Sequence, residues 1–150
     1  MTANELWAHY CAFSGTESNT PYDAWAFCGG GPLADELGEL VLQGTKTATA
    51  SSYIAYQTEG APLPEAGCYS VVLGQNGQAL CVIRDTRVSL VPFLEVSPNH
   101  AWREGEGDRS LAYWRQVHRR FLGQDYAALG KPFDEQGLCV LEEFEKVFPI

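Results

Sequence analysis

The sequence predicts an α+β barrel with flanking helices. Three observations carry this expectation. Apolar residues recur at helical spacing near the N-terminus and again over 33–41, the middle of the chain alternates with period two around a turn signal, and the strands and helices follow no regular βαβ order. At 150 residues and 45% hydrophobic content, the chain has the size of one ordinary domain that can bury a core without metals or disulfides. With no internal repeat and no low-complexity linker, a single domain over 1–150 is expected, with a helical extension over about 1–31 and a helix and barrel over about 32–150.

Leu6, Trp7, Tyr10 and Phe13 fall at helical spacing, so Ala3 to Phe13 reads as an amphipathic helix. The run from Ser14 to Pro21 breaks it, and Cys28-Gly29-Gly30-Gly31-Pro32 is a second breaker. Pro32 suits a first helical turn, Leu33, Leu37, Leu40 and Val41 continue at helical spacing, and Gly44 sits where a C-cap glycine belongs. Thr47 to Ser51 then changes to period two, a strand leaving the helix end with Lys46 at the junction. Cys68 to Leu73 and Ala79 to Val91 read as two strands joined through Gln75-Asn76-Gly77 and stopped by Pro92. Ser97-Pro98 opens a short helix through Trp102. Asp108 is expected to cap a longer one whose Leu111, Trp114, Val117, His118 and Phe121 share a face, which makes His118 a core histidine. Leu138 to Val147 reads as the closing strand.

Composition excludes several functions. The formal net charge of −9 opposes a broad footprint on duplex DNA or long RNA, because such binding draws its affinity from Lys and Arg neutralising phosphates. All seven arginines nevertheless fall between residues 84 and 120, a window with five acids and a net charge of +2. A locally basic face on an acidic body suits a small polar ligand or a short single strand. No apolar stretch approaches the roughly 18–20 residues of a membrane helix, and the start lacks the basic and apolar regions of a signal peptide, so a cytoplasmic protein is expected. Five scattered cysteines without a C-x-x-C pair read as reduced core thiols. No cofactor and no metal is expected, the alternative being a divalent ion on the oxygens of Glu104, Glu106 and Asp108.

Gly44-Thr45-Lys46-Thr47-Ala48-Thr49 matches a G-x-K-x-x-T motif placed between a helix and a strand. With Ala101-Trp102-Arg103-Glu104-Gly105-Glu106-Gly107-Asp108-Arg109-Ser110-Leu111, Trp114-Arg115, His118, Ala24-Trp25-Ala26-Phe27 and Ala34-Asp35-Glu36-Leu37, it resembles the longer bacterial subfamily of the ASCH domain over nearly the whole chain. The resemblance implies a PUA-like barrel with a cleft at the motif loop. It also implies one of two activities: removal of the acyl group from an N4-acetylcytidine-type nucleoside, or binding or cleavage of single-stranded RNA. Carried over, the motif residues are Lys46 as proton acceptor, Thr49 as nucleophile and Glu104 as proton donor. Ser51 stands where the small amidohydrolases of the family have an arginine, which removes one ligand anchor.

A threonine hydroxyl needs a neighbouring base, and an amide leaving group needs a proton. For Lys46 to act as that base it must be held as the free amine, which only a partly desolvated cleft achieves. Lys46 must also lie in the turn before the strand, because residues three apart on a strand point to opposite faces. Tyr53, Arg84, Arg103, Arg109 and Ser110 are the expected substrate-binding residues, the arginines for phosphate and Tyr53 or Trp102 for stacking on a base.

Overall fold

The computed structural model describes residues 1–150. Helix α1 (Ala3–Ser14) begins in a capping box: Thr2 Oγ1 accepts from the Glu5 backbone N–H, and the Glu5 carboxylate accepts from the Thr2 N–H. Its buried stripe of Leu6, Trp7, Tyr10 and Cys11 packs on Val71 and Val82 of the sheet. Strand β1 (Tyr22–Ala26) lies within the stretch expected as a helical extension, yet it joins the sheet by pairing in parallel with β3 (Tyr69–Leu73). A short run of aromatic and small residues between two breakers carries little alternation, and the strand was therefore invisible to periodicity.

Helix α2 (Pro32–Leu42) follows with Pro32 at its first turn, and Gly44, at φ +81°, turns the chain out of it. The backbone N–H groups of Thr45 and Lys46 both reach back to the Leu40 carbonyl, so the motif loop is strapped to the helix end before β2 (Ala48–Ser52) begins. A second unforeseen element, α3 (Tyr53–Glu59), leaves β2 directly. The hairpin of β3 and β4 (Ala79–Pro92) turns where Gln75-Asn76-Gly77 signalled it. α4 (Pro98–Glu104) and α5 (Leu111–Ala128) follow, and β5 (Leu138–Phe148) returns between β4 and β2.

The sheet order is β1-β3-β4-β5-β2, with β1 and β2 as unpaired edges, so the α+β barrel is a half-barrel rather than a closed one. Helix α5 is capped by Ser110, which accepts from the Tyr113 N–H at 3.1 Å, instead of by Asp108, whose carboxylate accepts from the Ser110 N–H. The helix buries Trp114, His118, Leu122 and Tyr126 and leaves Phe121 exposed. Trp114 and Leu122 join Ala50, Phe93, Val96, Ala101, Cys139 and Leu141 in the core beneath α4 and α5. Cys11, Cys81 and Cys139 are buried as expected for core thiols, whereas Cys28 and Cys68 are exposed. No helix is long and apolar enough to cross a membrane.

Candidate active site

A cavity of about 1040 Å³ opens between β1, β2, α5 and the inner face of β4 and β5. Lys46, Thr49 and Glu104 all line it. Lys46 precedes β2 in the motif loop, so the three-residue spacing to Thr49 carries no parity conflict. Glu104 ends α4, and two latches bring it to the motif loop: the Thr47 N–H donates to the Arg103 carbonyl at 2.7 Å, and Arg109 donates to the carbonyls of Trp102 and Thr45. Gly105 completes the junction at φ +74°, where a Cβ would stand 2.5 Å from the Thr45 carbonyl oxygen. Gly105→Ala should therefore cost about 1–3 kcal/mol through backbone strain and collision, read as a lowered urea midpoint. A midpoint unchanged from wild type would mean the two loops are not in register as described.

Lys46 is 1% exposed, and its ammonium Nζ contacts Glu106 Oε2 at 2.9 Å, Glu104 Oε1 at 3.3 Å and the Glu104 carbonyl at 3.3 Å. Glu104 is equally buried and is saturated with donors. Its Oε2 accepts from Trp114 Nε1 at 2.5 Å and faces His100 Nε2 at 2.7 Å, while its Oε1 also faces His118 Nε2 at 3.4 Å. Burial alone would raise the Glu104 pKa. The charges of Lys46 and His118 and the hydrogen bonds from His100 and His118 outweigh it, holding the carboxyl well below its ordinary value. In His118, Nδ1 must be the donor to the Trp114 carbonyl at 2.9 Å, because a carbonyl only accepts. Burial opposes charging this ring, but the Glu104 carboxylate and the two hydrogen bonds prevail and raise its pKa. His118 is thus both the core histidine its apolar neighbours suggested and part of the cavity wall.

The oxygens of Glu104 and Glu106 and a ring nitrogen of His118 lie within 4.8 Å of one another, the donor set a cation would use. Asp108 does not belong to it. Lys46 supplies positive charge to two of the three groups, which disfavours a divalent ion beside it.

The five expected substrate-binding residues do not line this cavity. Ser110 caps α5, and Arg109 stacks 3.7 Å over the Trp102 ring while tying the two loops. Arg103 bonds Asn99 and lies 3.3 Å from a Glu143 oxygen, and Arg84 lies over Tyr69 on the far side of the hairpin. Tyr53 opens α3; Tyr56, one turn later, is the tyrosine on the wall, and its hydroxyl accepts from Ser51 Oγ at 3.3 Å. Arginine at a distance in sequence from a motif carries no information about side-chain direction: Arg109 is claimed by backbone carbonyls, Arg103 by Asn99 and Glu143, and Arg84 by the Tyr69 ring.

Unexpected groups occupy their place. Asp85 on β4 and Glu142 on β5 line the cavity with their carboxyls within reach of each other, and Asp23 approaches from β1. Burial, then the Asp85 hydrogen bond and the charges of Asp85 and Asp23, push the Glu142 pKa up to about 9. Burial likewise raises that of Asp85, with the Glu142 hydrogen bond opposing. A signal for Asp85 was present: it shares strand parity with Cys81 and Ile83, both fully buried, and Asp is disfavoured in strands. Together the wall carries six acids, Asp23, Glu65, Asp85, Glu104, Glu106 and Glu142, against Lys46 and Arg120.

An open five-stranded α+β half-barrel whose cleft is floored by a helix-to-strand motif loop defines the PUA-like class. The ASCH domain family matches residues 23–148, and the chain belongs to that family. It is similar to the ASCH domain from Lactobacillus crispatus JV V101, with 35% identity and a TM-score of 0.89 over 95% of this chain and 92% of that one. It is also similar to protein EF3133 from Enterococcus faecalis V583, with 35% identity and a TM-score of 0.87 over 95% of this chain and 86% of that one. The hypothetical protein PH0355, at 16% identity and a TM-score of 0.52 over 75% of this chain and 92% of that one, shares the fold. No curated protein matches the sequence.

Proposed function

We propose that the protein is a hydrolase of small amides on modified nucleosides, with N4-acetylcytidine as the representative substrate. The observation that carries this reading is one acidic cavity of about 1040 Å³ that holds Lys46, Thr49 and Glu104 together. That volume accommodates a nucleoside-sized molecule. Its predominantly acidic wall repels a phosphate backbone, and of the seven arginines only Arg120 lines it. A site for single-stranded RNA, or a ribonuclease, has correspondingly less support.

Thr49 Oγ is the nucleophile in this reading. The roles expected of the other two, Lys46 as proton acceptor and Glu104 as proton donor, require a free amine and a protonated acid. The geometry is the reverse: an ammonium against two carboxylates, and a carboxylate that already receives several donors. Lys46 therefore acts as fixed positive charge for the oxyanion that develops on the acyl oxygen, and Glu104 positions it. Fixed charge of this kind needs no reorganisation as the reaction proceeds.

Release of cytidine from N4-acetylcytidine tests the reading. Wild type should turn over at a rate that a chelator leaves intact and that is the same at 50 and 500 mM salt, while Thr49→Ala should lose roughly 10³-fold or more. Absence of turnover by wild type sinks the proposal, and binding of short single-stranded RNA that weakens steeply with salt would put the RNA reading in its place.

A further inference from the structure

The geometry points to a second catalytic element that the motif does not contain: we propose that the Asp85–Glu142 carboxyl pair is the acid–base group of this site, with Glu142 donating the proton to the departing nitrogen. The inference rests on the amide-hydrolase reading and adds a residue assignment to it.

Position is the first argument. In the antiparallel register of β2 and β5, Thr49 is the direct partner of Glu142. Side chains of such partners have Cβ atoms about 4.5–5.5 Å apart. Both residues line the cavity, so a carboxyl group stands immediately beside the proposed nucleophile on the side open to substrate. Asp85 reaches the same place from β4, nine-tenths buried, and no lysine or arginine pairs with its carboxyl.

Proton inventory is the second. Two buried carboxyls on the same wall, with Asp85 opposite Phe144 and so diagonal to Glu142, are held together most easily by sharing one proton, so the pair presents one acid and one base at the same time. The groups facing it from neighbouring elements are Asp23 on β1 and Tyr56 on α3, which bring no positive charge. Arg84, next to Asp85 in the chain, is exposed and lies against the Tyr69 ring instead. A buried like-charge pair retains its proton through neutral pH, and burial and the Asp85 and Asp23 charges place the loss of the Glu142 proton at about 9. Glu104 has no proton of this kind to give, for the reasons of geometry already described.

Water is the sole co-reactant. Thr49 Oγ bonds to the acyl carbon as its proton passes to the unprotonated oxygen of the pair. The C–N bond then breaks as the Glu142 proton passes to nitrogen, releasing the free amine. The pair ends with the single proton it began with. Water next attacks the acyl-threonine ester, giving its proton to the pair, and Thr49 recovers a proton from the pair as the acid leaves.

A general acid matters in proportion to how badly the leaving group needs a proton, which gives a test that a structural role cannot imitate. Glu142→Gln and Asp85→Asn would be compared with wild type on N4-acetylcytidine and on p-nitrophenyl acetate, whose phenolate departs unprotonated. The expected result for Glu142→Gln is a loss of about 10²–10⁴-fold on the amide and less than tenfold on the ester, together with disappearance of the alkaline limb of the amide pH profile. Retained ester turnover also shows that the variant is folded. Asp85→Asn removes the base that takes the Thr49 proton and should slow turnover of both substrates. For Glu142→Gln, equal losses on amide and ester, or an unchanged amide rate and pH profile, would overturn the assignment while leaving the amide-hydrolase reading in place. Failure of wild type to hydrolyse the amide overturns that reading, and this assignment with it.

Discussion

Lys46→Met is expected to destabilise the fold by about 3–5 kcal/mol, the cost of leaving a buried charge without its partner. The side chain is 1% exposed and Glu104 is 1% exposed, so neither can relax into water without opening the junction of α4 and the motif loop. Removing the ammonium leaves Glu104 with His118 as its charged neighbour and leaves Glu106 without the 2.9 Å contact. The double variant Lys46→Met/Glu104→Gln removes both charges and should recover much of the loss, because the penalty belongs to the orphaned charge rather than to the pair. Urea unfolding of wild type, both single variants and the double variant measures this directly. A loss under about 1 kcal/mol for Lys46→Met would show that water already reaches the pair.

Glu142→Gln is expected to have the opposite sign, making the protein more stable while slowing the turnover proposed for it. The Glu142 carboxyl has its pKa raised from 4.5 to about 9 in the fold. Below pH 4.5 both the folded and unfolded chains carry the proton, and this group contributes its full stability. From there up to about pH 9 the unfolded chain has released the proton and the folded chain retains it, so stability falls progressively as pH rises. Glutamine carries no such linkage and can still donate a hydrogen bond to Asp85. The stability gain of the variant should therefore be absent at pH 4, grow through neutral pH to a few kcal/mol at most, and level off above pH 9. A gain that is constant across pH 4–9 would mean that the carboxyl titrates normally. Active sites that hold like charges together commonly sacrifice stability in this way.

Acid has a separate effect at the other carboxyl. Glu104 is depressed in the fold, so its contribution is present above the ordinary carboxylate range and is lost as pH falls through its lower folded value. His118 is raised, so its contribution is complete below its ordinary value of 6.5 and is lost as pH rises through the folded one.

Much of the fold was legible in the chain because its signals are local. The helix stripe of α1, the Pro32 start and Gly44 stop of α2, the hairpin turn and the long β5 all act within a few residues, and all stand close to where periodicity and breakers put them. The strand β1 and the helix α3 were missed for the same physical reason in reverse. A five-residue strand is held by pairing with β3, a partner more than forty residues away, and the seven residues of α3 bury none of their side chains fully.

The motif residues divide in the same way. Family resemblance and spacing were enough to select Lys46, Thr49 and Glu104 and to require that Lys46 lie in the loop before the strand, since strand parity is a local rule. Their protonation was not decidable there, because it depends on which charges the fold brings together. Lys46 and Glu104 meet across 58 residues, and His118 and Trp114 reach Glu104 from a different helix. Register decided the remainder. Pairing β5 with β2 on one edge and β4 on the other sets Glu142 beside Thr49 and within reach of Asp85, while the carbonyls of Trp102 and Thr45 hold Arg109, and Asn99 and Glu143 hold Arg103, away from the cavity. Most helices and strands follow from short-range pattern and the candidate nucleophile from the family resemblance; the acidity of the cavity and the location of its available proton follow from tertiary contacts, because a pKa responds to every charge and dipole within a few ångströms regardless of where it lies in the chain.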